Sequence, residues 1–292
     1  MIVTPPAAPA PEPIRFEVLL SQSWTLFRRN WIVAMPPVIA MLIGVAGWAA
    51  FVGAVVAGAL GRGVFRPNAP VPGSGFFSTL VVGVLVFAIV MFAISLWSYV
   101  AMFGMADAAW AKGTATFDDG FRAFRTRAVA FIVAGIGVVG LAMVALVLVL
   151  PTLGLAFLAL PLVTMYVAPA VVSGGRDGFT AIGESFRLVR RFFGTSAIAL
   201  LVLVGINYGI SMMATFPLYP LEFAFLPRAG ETVPHIPPIG LLAAAGLWFV
   251  LAMVVAQAYL GYFAIAIVGL YRSLSAQPDV AAGAPPVRTY PG

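Results

Sequence analysis

Long stretches without a charged residue alternate with short charged segments along the chain. An α-helix needs about 20 residues, at 1.5 Å each, to cross a hydrocarbon core about 30 Å thick. Every uncharged stretch reaches that length, so the pattern predicts six transmembrane helices. The six stretches cover residues 31–60, 76–106, 128–150, 152–174, 192–217 and 237–271. Only Pro151 separates the third stretch from the fourth, which predicts a tight hairpin there.

The composition agrees with a lipid environment. The chain has 292 residues, of which 62% are hydrophobic and 9% charged, and its mean hydropathy is +1.05. A soluble domain carries roughly 25% charged residues. We therefore expect an all-α polytopic membrane protein. The absence of cysteine excludes disulfides, zinc thiolate sites and cysteine catalysis.

The basic residues predict the orientation, because cytoplasmic loops of membrane proteins are enriched in Lys and Arg. Thirteen basic residues fall on the side of the two termini and three on the opposite side. Both termini are therefore expected in the cytoplasm. The opposite side holds only Arg62, Arg66 and Arg228. The net charge is +6, and the basic residues lie beside membrane segments. This position favours contact with anionic headgroups and not with nucleic acid.

The domain organisation follows from the same pattern. Residues 14–272 form the predicted membrane domain. Residues 1–13 and 273–292 are rich in Pro, Ala and Gly, so we expect disordered tails there.

A short charged motif recurs before three of the predicted spans. "QSWTLFRRNW" (22–31) aligns with "ESFRLVRRFF" (184–193) at a constant offset, and a shorter copy is "FDDGFRAFRTRAVAF" (117–131). Such self-similarity is typical of repeated supersecondary units. The interpretation is three parallel hairpin units, each preceded by an interfacial amphipathic helix and related by an axis along the membrane normal. Their approximate limits are 14–106, 107–175 and 176–272.

The periodicity of these motifs predicts helices that lie in the headgroup layer with an apolar stripe towards the lipid. Glu184, which avoids the stripe, is expected to pair with Arg187. The stripe comprises Phe179, Ile182, Phe186, Val189 and Phe193 in the third copy, and Phe16, Leu20, Trp24 and Phe27 in the first. The candidate contacts to lipid headgroups are Arg28, Arg29, Arg187, Arg190 and Arg191. Two interpretations stay open for them: topology anchors alone, or a dedicated lipid or partner site.

One segment carries a family resemblance. "PAVV" (169–172), followed by "DGFTAIGESFRLVRRFFGTSAIALLVL" (177–203), resembles the membrane domain of bacterial glycerophosphodiester phosphodiesterases and related multi-spanning bacterial proteins. The resemblance implies a helical membrane domain and brings no catalytic residues. "SGGRDG" departs from that family's pattern, because Asp177 is the only acidic residue there.

Few residues could carry chemistry. No ionisable residue lies well inside a predicted span, which argues against proton-coupled transport. Asp107, just beyond the second span, is expected at the cytoplasmic interface or paired with an arginine. Glu231 and His235 have a metal-ligand spacing, but the neighbouring prolines disfavour the helix that this spacing needs. We therefore expect no metal, no cofactor and no enzymatic activity.

Two carboxamides, Asn207 and Gln257, lie within predicted spans. Each needs hydrogen-bond partners in lipid, either on a neighbouring helix or along a solute cavity. The expected function is a non-enzymatic protein of the bacterial inner membrane that scaffolds a partner or engages lipid. The alternative is a transporter or channel for a small or lipid-like solute, with Asn207 and Gln257 along its route. The expected partners are membrane lipids, with a protein partner or a second copy left open.

Overall fold

The computed structural model describes residues 16–61, 74–216 and 239–277, and every regular element within those ranges is helical. A 3₁₀ turn, Trp31–Ala34, joins the first two α-helices. The α-helices of these ranges are α1 (Phe16–Arg29), α2 (Met35–Gly61), α3 (Ser74–Lys112), α4 (Phe117–Val147), α5 (Leu155–Thr164), α6 (Val167–Val172), α7 (Gly178–Arg191), α8 (Phe193–Thr215) and α9 (Ile239–Ser275). The predicted tail 1–13, most of the predicted tail 273–292, and the pair Glu231 and His235 lie outside the described residues.

Within the described ranges, five helical segments are long and apolar enough to cross a membrane. Their surfaces are apolar as well: the most hydrophobic 18-residue window of α3 has none of its residues buried. Such a surface suits lipid and not water. The chain is thus a multi-pass membrane protein whose described part is all-helical. The five segments are Trp31–Gly61, Phe77–Lys112, Phe117–Val147, Phe193–Thr215 and Ala243–Ser275.

The predicted fourth span, 152–174, is not one long helix. A turn with left-handed backbone at Leu153 and Gly154 precedes α5, and a break at residues 165–166 separates α5 from α6. Pro169 explains the break, because proline has no amide hydrogen and its ring clashes with the carbonyl four residues earlier. Ser185 of α7 bridges the gap. Its hydroxyl donates to the Val163 carbonyl and accepts from the Tyr166 amide at 3.2 Å.

The middle repeat copy also differs from the prediction. α4 runs without interruption from Phe117 to Val147, so no separate interfacial helix precedes its apolar part. Thr116 starts this helix with a capping box, in which Thr116 and Asp119 satisfy each other's backbone amides. No helix-ending residue follows before the apolar segment. The prediction of three separate interfacial helices is therefore wrong for this copy.

The buried core lies towards one end of the bundle. There α1 packs against α9, α4 packs against α3, and α7 packs against α4 and α6. We call this the arginine-rich end, since the described arginines of these helices lie there. α9 is the central helix and contacts α1, α2, α3, α6 and α8. Most core side chains come from residues 100–109, 165–171 and 264–274.

Candidate functional site at the arginine-rich end

α1 and α7 are closely matched in structure. Each has 14 residues, and the two helices begin and end at positions related by the sequence offset of the motif. The backbone breaks in the same way after both: Asn30 has φ −124° and ψ 42°, and Phe192 has φ −121° and ψ 45°. The corresponding residues Ser23 and Ser185 are both fully buried. The first and third copies therefore share their length, their end geometry and a buried serine.

α7 has three distinct faces. The face towards the bundle is formed mainly by small and aliphatic residues, including Ala181, Ser185 and Leu188, and it is buried. A second face exposes Phe179 and Phe186, which are 65% and 53% accessible. The third face carries three exposed arginines, Arg187, Arg190 and Arg191.

The predicted apolar stripe of α7 consequently needs correction. Val189 of that stripe is buried against the bundle, whereas Phe179, Phe186 and Phe193 point away from it. A helix that packs closely on its neighbours uses small side chains at the contact, so the phenylalanines are left outside. In α1 the stripe does contact the bundle: the rings of Trp24 and Phe27 meet Tyr262 of α9 edge to face at 5.9 and 6.1 Å.

The position of Glu184 also differs from the prediction. The residue was expected among the exposed arginines, but it is 8% exposed and belongs to the buried face of α7. Its predicted pairing with Arg187 is present at a long distance of 3.8 Å. Two closer partners satisfy the carboxylate: Arg176 Nε donates to Oε2 at 2.6 Å, and the Tyr271 hydroxyl donates to Oε1 at 2.9 Å. A buried carboxylate stays charged at acceptable cost only with such partners.

Arg272, the residue that follows Tyr271 in α9, forms an ion pair with Asp107 of α3. Arg272 donates from Nε and Nη2 to Asp107 Oδ1 at 3.0 and 2.7 Å, which joins the ends of α3 and α9. This confirms the expectation that Asp107 pairs with an arginine. Tyr271 and Arg272 together attach the last turns of α9 to α7 and to α3.

Asn30 joins α1 to the connection between α3 and α4. Its side-chain amide donates to the Leu26 and Gly113 carbonyls at 3.0 and 3.1 Å, and its side-chain oxygen accepts from the Ala115 amide at 2.7 Å. The residue is only 4% exposed. Sequence reasoning did not single it out, because two of the three partners lie more than eighty residues away.

The candidate headgroup contacts surround two separate recesses. One, of about 410 Å³, is lined by Phe186, Arg187, Arg190 and Arg191, and the Arg191 guanidinium lies over the Phe192 ring at 4.8 Å. The other, of about 330 Å³, lies between α1 and the end of α3 and has Arg29 at its edge. Arg28 is exposed beside it without lining it.

The two intramembrane carboxamides are not brought together. Asn207 is exposed on α8, beside Tyr208, which is 61% accessible. Gln257 instead lines a cavity between α2, α3 and α9, and that cavity does not reach Asn207. Among the described residues, no group of three or more His, Cys, Asp and Glu side chains could hold a metal ion.

Comparison with known proteins gives no relative from which a role could be inferred. No family model, no curated protein and no solved structure matches the chain.

Proposed function

We propose that this chain is a non-enzymatic integral membrane protein of the bacterial inner membrane whose helix α7 binds anionic lipid headgroups. The observation that carries the proposal is the arrangement of α7, with one face packed on the bundle, an exposed phenylalanine face and an adjacent exposed arginine face. α1, with the exposed Arg28 and Arg29, is a second candidate helix, but its aromatic residues Trp24 and Phe27 contact Tyr262 of α9.

The environment of α7 explains this combination of faces. A fully buried phenylalanine side chain contributes about 1.5–3 kcal/mol relative to an exposed one, so Phe179, Phe186 and Phe193 favour the acyl region over water. Arginine stems can lie along the same apolar layer while their guanidinium groups reach the phosphates. Arginine also binds phosphate oxygens in a bidentate manner. The arginine-rich end is then cytoplasmic, in agreement with the positive-inside rule.

Three parallel hairpin units are the arrangement that we infer for the bundle. The matched geometry of α1 and α7 supports it, as does the packing: α4 lies against α3, α7 against α6, and α1 against α9. The first helix of the second and third units therefore contacts the last helix of the preceding unit. The first helix of the first unit contacts the last helix of the third unit, so the contacts form a closed ring. In this arrangement α5 and α6, residues 155–172, form a sixth crossing of about 27 Å at 1.5 Å per residue. That length approaches the thickness of the hydrocarbon core.

Partner scaffolding is part of the same proposal. The resemblance to the membrane domain of glycerophosphodiester phosphodiesterases suggests a role beside lipid-headgroup chemistry performed by another protein. Transport is the second candidate and has less support, because only Gln257 of the two intramembrane carboxamides lines a cavity.

The effect of added lipid on the thermal unfolding of the protein tests whether α7 binds headgroups. We compare the thermal unfolding of the purified protein in neutral detergent with added phosphatidylglycerol or phosphatidylcholine. A ligand that binds only the folded state raises the unfolding temperature. We expect phosphatidylglycerol to give a rise of several degrees that Arg190→Gln/Arg191→Gln abolishes. This variant leaves the partners of Glu184 intact.

The matched control is Arg122→Gln/Arg125→Gln, which removes the same charge from exposed positions of α4. Among the described residues, Arg122 pairs only with the exposed Asp118, so the fold tolerates its loss. If the control loses the lipid effect as fully as the α7 variant, the effect reflects net charge and headgroup binding by α7 is wrong.

A further inference from the structure

The cavity that contains Gln257 lies between helices, is open to the surface of the bundle beside the exposed Val45 and Tyr99, and is apart from both arginine recesses. Its volume is about 380 Å³, and α2, α3 and α9 each contribute to its wall. Four methionines, Met41, Met91, Met102 and Met253, form much of its apolar lining. Methionine side chains are flexible and polarisable, so they adapt to ligands of irregular shape.

The polar part of the wall has unused hydrogen-bonding capacity. Gln257 is the central residue of the 37-residue helix α9, far from either headgroup layer. Ser98 of α3, which is 5% exposed, lines the same cavity. Within the described residues, neither the Gln257 carboxamide nor the Ser98 hydroxyl takes part in a hydrogen bond. Hydrocarbon offers no partner at this depth, and an unsatisfied polar group there costs several kcal/mol.

The lining restricts the class of ligand. Among the described residues, no charged side chain faces the cavity, so a phosphate or an ammonium group would lack a counter-charge. A carboxamide and a hydroxyl both donate and accept, which suits a ligand with hydroxyl and ester groups. If each non-hydrogen atom of a ligand, with its hydrogens, takes about the 30 Å³ of a water molecule, the cavity holds about a dozen such atoms. A glycerol group with the first part of an acyl chain has about that size.

We propose that this cavity binds a neutral glycerolipid of the diacylglycerol class. The free glycerol hydroxyl bonds Gln257 and Ser98, and the adjoining acyl chain packs against the methionines. This proposal does not rest on headgroup binding at α7, because the two sites share no residue.

Photo-crosslinking tests the site in the full-length protein in lipid nanodiscs. The probe is a diacylglycerol with a diazirine near the start of one acyl chain. We expect labelling of peptides from α2, α3 and α9 that unlabelled diacylglycerol competes away. Gln257→Leu should weaken binding roughly tenfold, the equivalent of about 1.4 kcal/mol for the lost hydrogen bonds. Ser98→Ala, a smaller change, should weaken it in the same direction.

Asn207→Leu is the matched control, because it removes an intramembrane carboxamide that is exposed on α8 and lies outside the cavity. It should keep full labelling. Unchanged labelling in both Gln257→Leu and Ser98→Ala would overturn the proposal. So would equal competition by phosphatidylcholine, or a cavity that holds only water, which would give no competable labelling at all.

Discussion

The hydroxyl of Tyr271 donates a hydrogen bond to Oε1 of Glu184 at 2.9 Å, across 87 positions of sequence. The other carboxylate oxygen of Glu184 accepts from Arg176 at 2.6 Å. The central helix α9 thereby holds α7 by its buried face. The orientation of the exposed phenylalanine and arginine faces of α7 depends on this attachment.

Removing the Tyr271 hydroxyl should destabilise the protein. We expect Tyr271→Phe to lower the free energy of unfolding by about 1–2 kcal/mol, because Glu184 loses a partner while it stays buried. Unfolding in detergent, followed by circular dichroism, measures the change. Tyr208→Phe is the control, since Tyr208 is 61% exposed on α8. Equal losses in the two variants would mean that the hydrogen bond to Glu184 contributes nothing specific.

Asn30 should be sensitive to truncation. In Asn30→Ala, the Gly113 carbonyl and the Ala115 amide each lose a partner, and the expected loss is about 2–3 kcal/mol for these part-buried groups. Thr25→Ala serves as the comparison, because Thr25 bonds only the Ser21 carbonyl on the exposed side of α1. Hydrogen exchange should also increase around residues 113–115. Unchanged protection there would contradict the proposed link between α1 and this connection.

Gly261 should not accept a larger residue. A Cβ atom at this position of α9 would lie 2.8 Å from the Cα of Ala34, a backbone atom that cannot move independently. We expect Gly261→Val to unfold or to shift the contact between α9 and the 3₁₀ turn Trp31–Ala34, as judged by yield and monodispersity. Gly205→Val provides the control, since nothing lies within 4 Å of a Cβ there. A well-folded Gly261→Val protein with wild-type stability would show that this approach is less close than the structure indicates.

Hydrophobic length and helical pattern allowed much of the fold to be predicted. Each of the five long apolar helices in the described residues contains most of one uncharged stretch, because in lipid only a continuous helix satisfies its own backbone. The exception is the stretch 152–174. There Pro169 and the hydroxyl of Ser185 make a broken helix possible, and hydropathy carries no information about either effect.

The separate helix that the motif predicts before a span is present for the first and third copies, as α1 and α7, but not for the middle copy. Asn30 and Phe192 both interrupt the helix, whereas no equivalent interruption occurs in α4.

The polar contacts of the candidate site were the hardest to predict. Periodicity located the arginines of α7, but it could not show that Glu184 lies on the buried face. That outcome depends on Tyr271 and Arg176, and on small residues that let α7 approach its neighbours closely. Such contacts depend on tertiary packing, which a single helical pattern does not contain.

The most direct test of the central claim is native mass spectrometry of the protein released from phosphatidylglycerol-containing membranes. We predict that the wild-type protein retains phosphatidylglycerol, and that Arg190→Gln/Arg191→Gln loses it while Arg122→Gln/Arg125→Gln keeps it. Equal retention by the wild-type protein and the α7 variant would contradict the account, and the arginines of α7 would then serve as topology anchors alone.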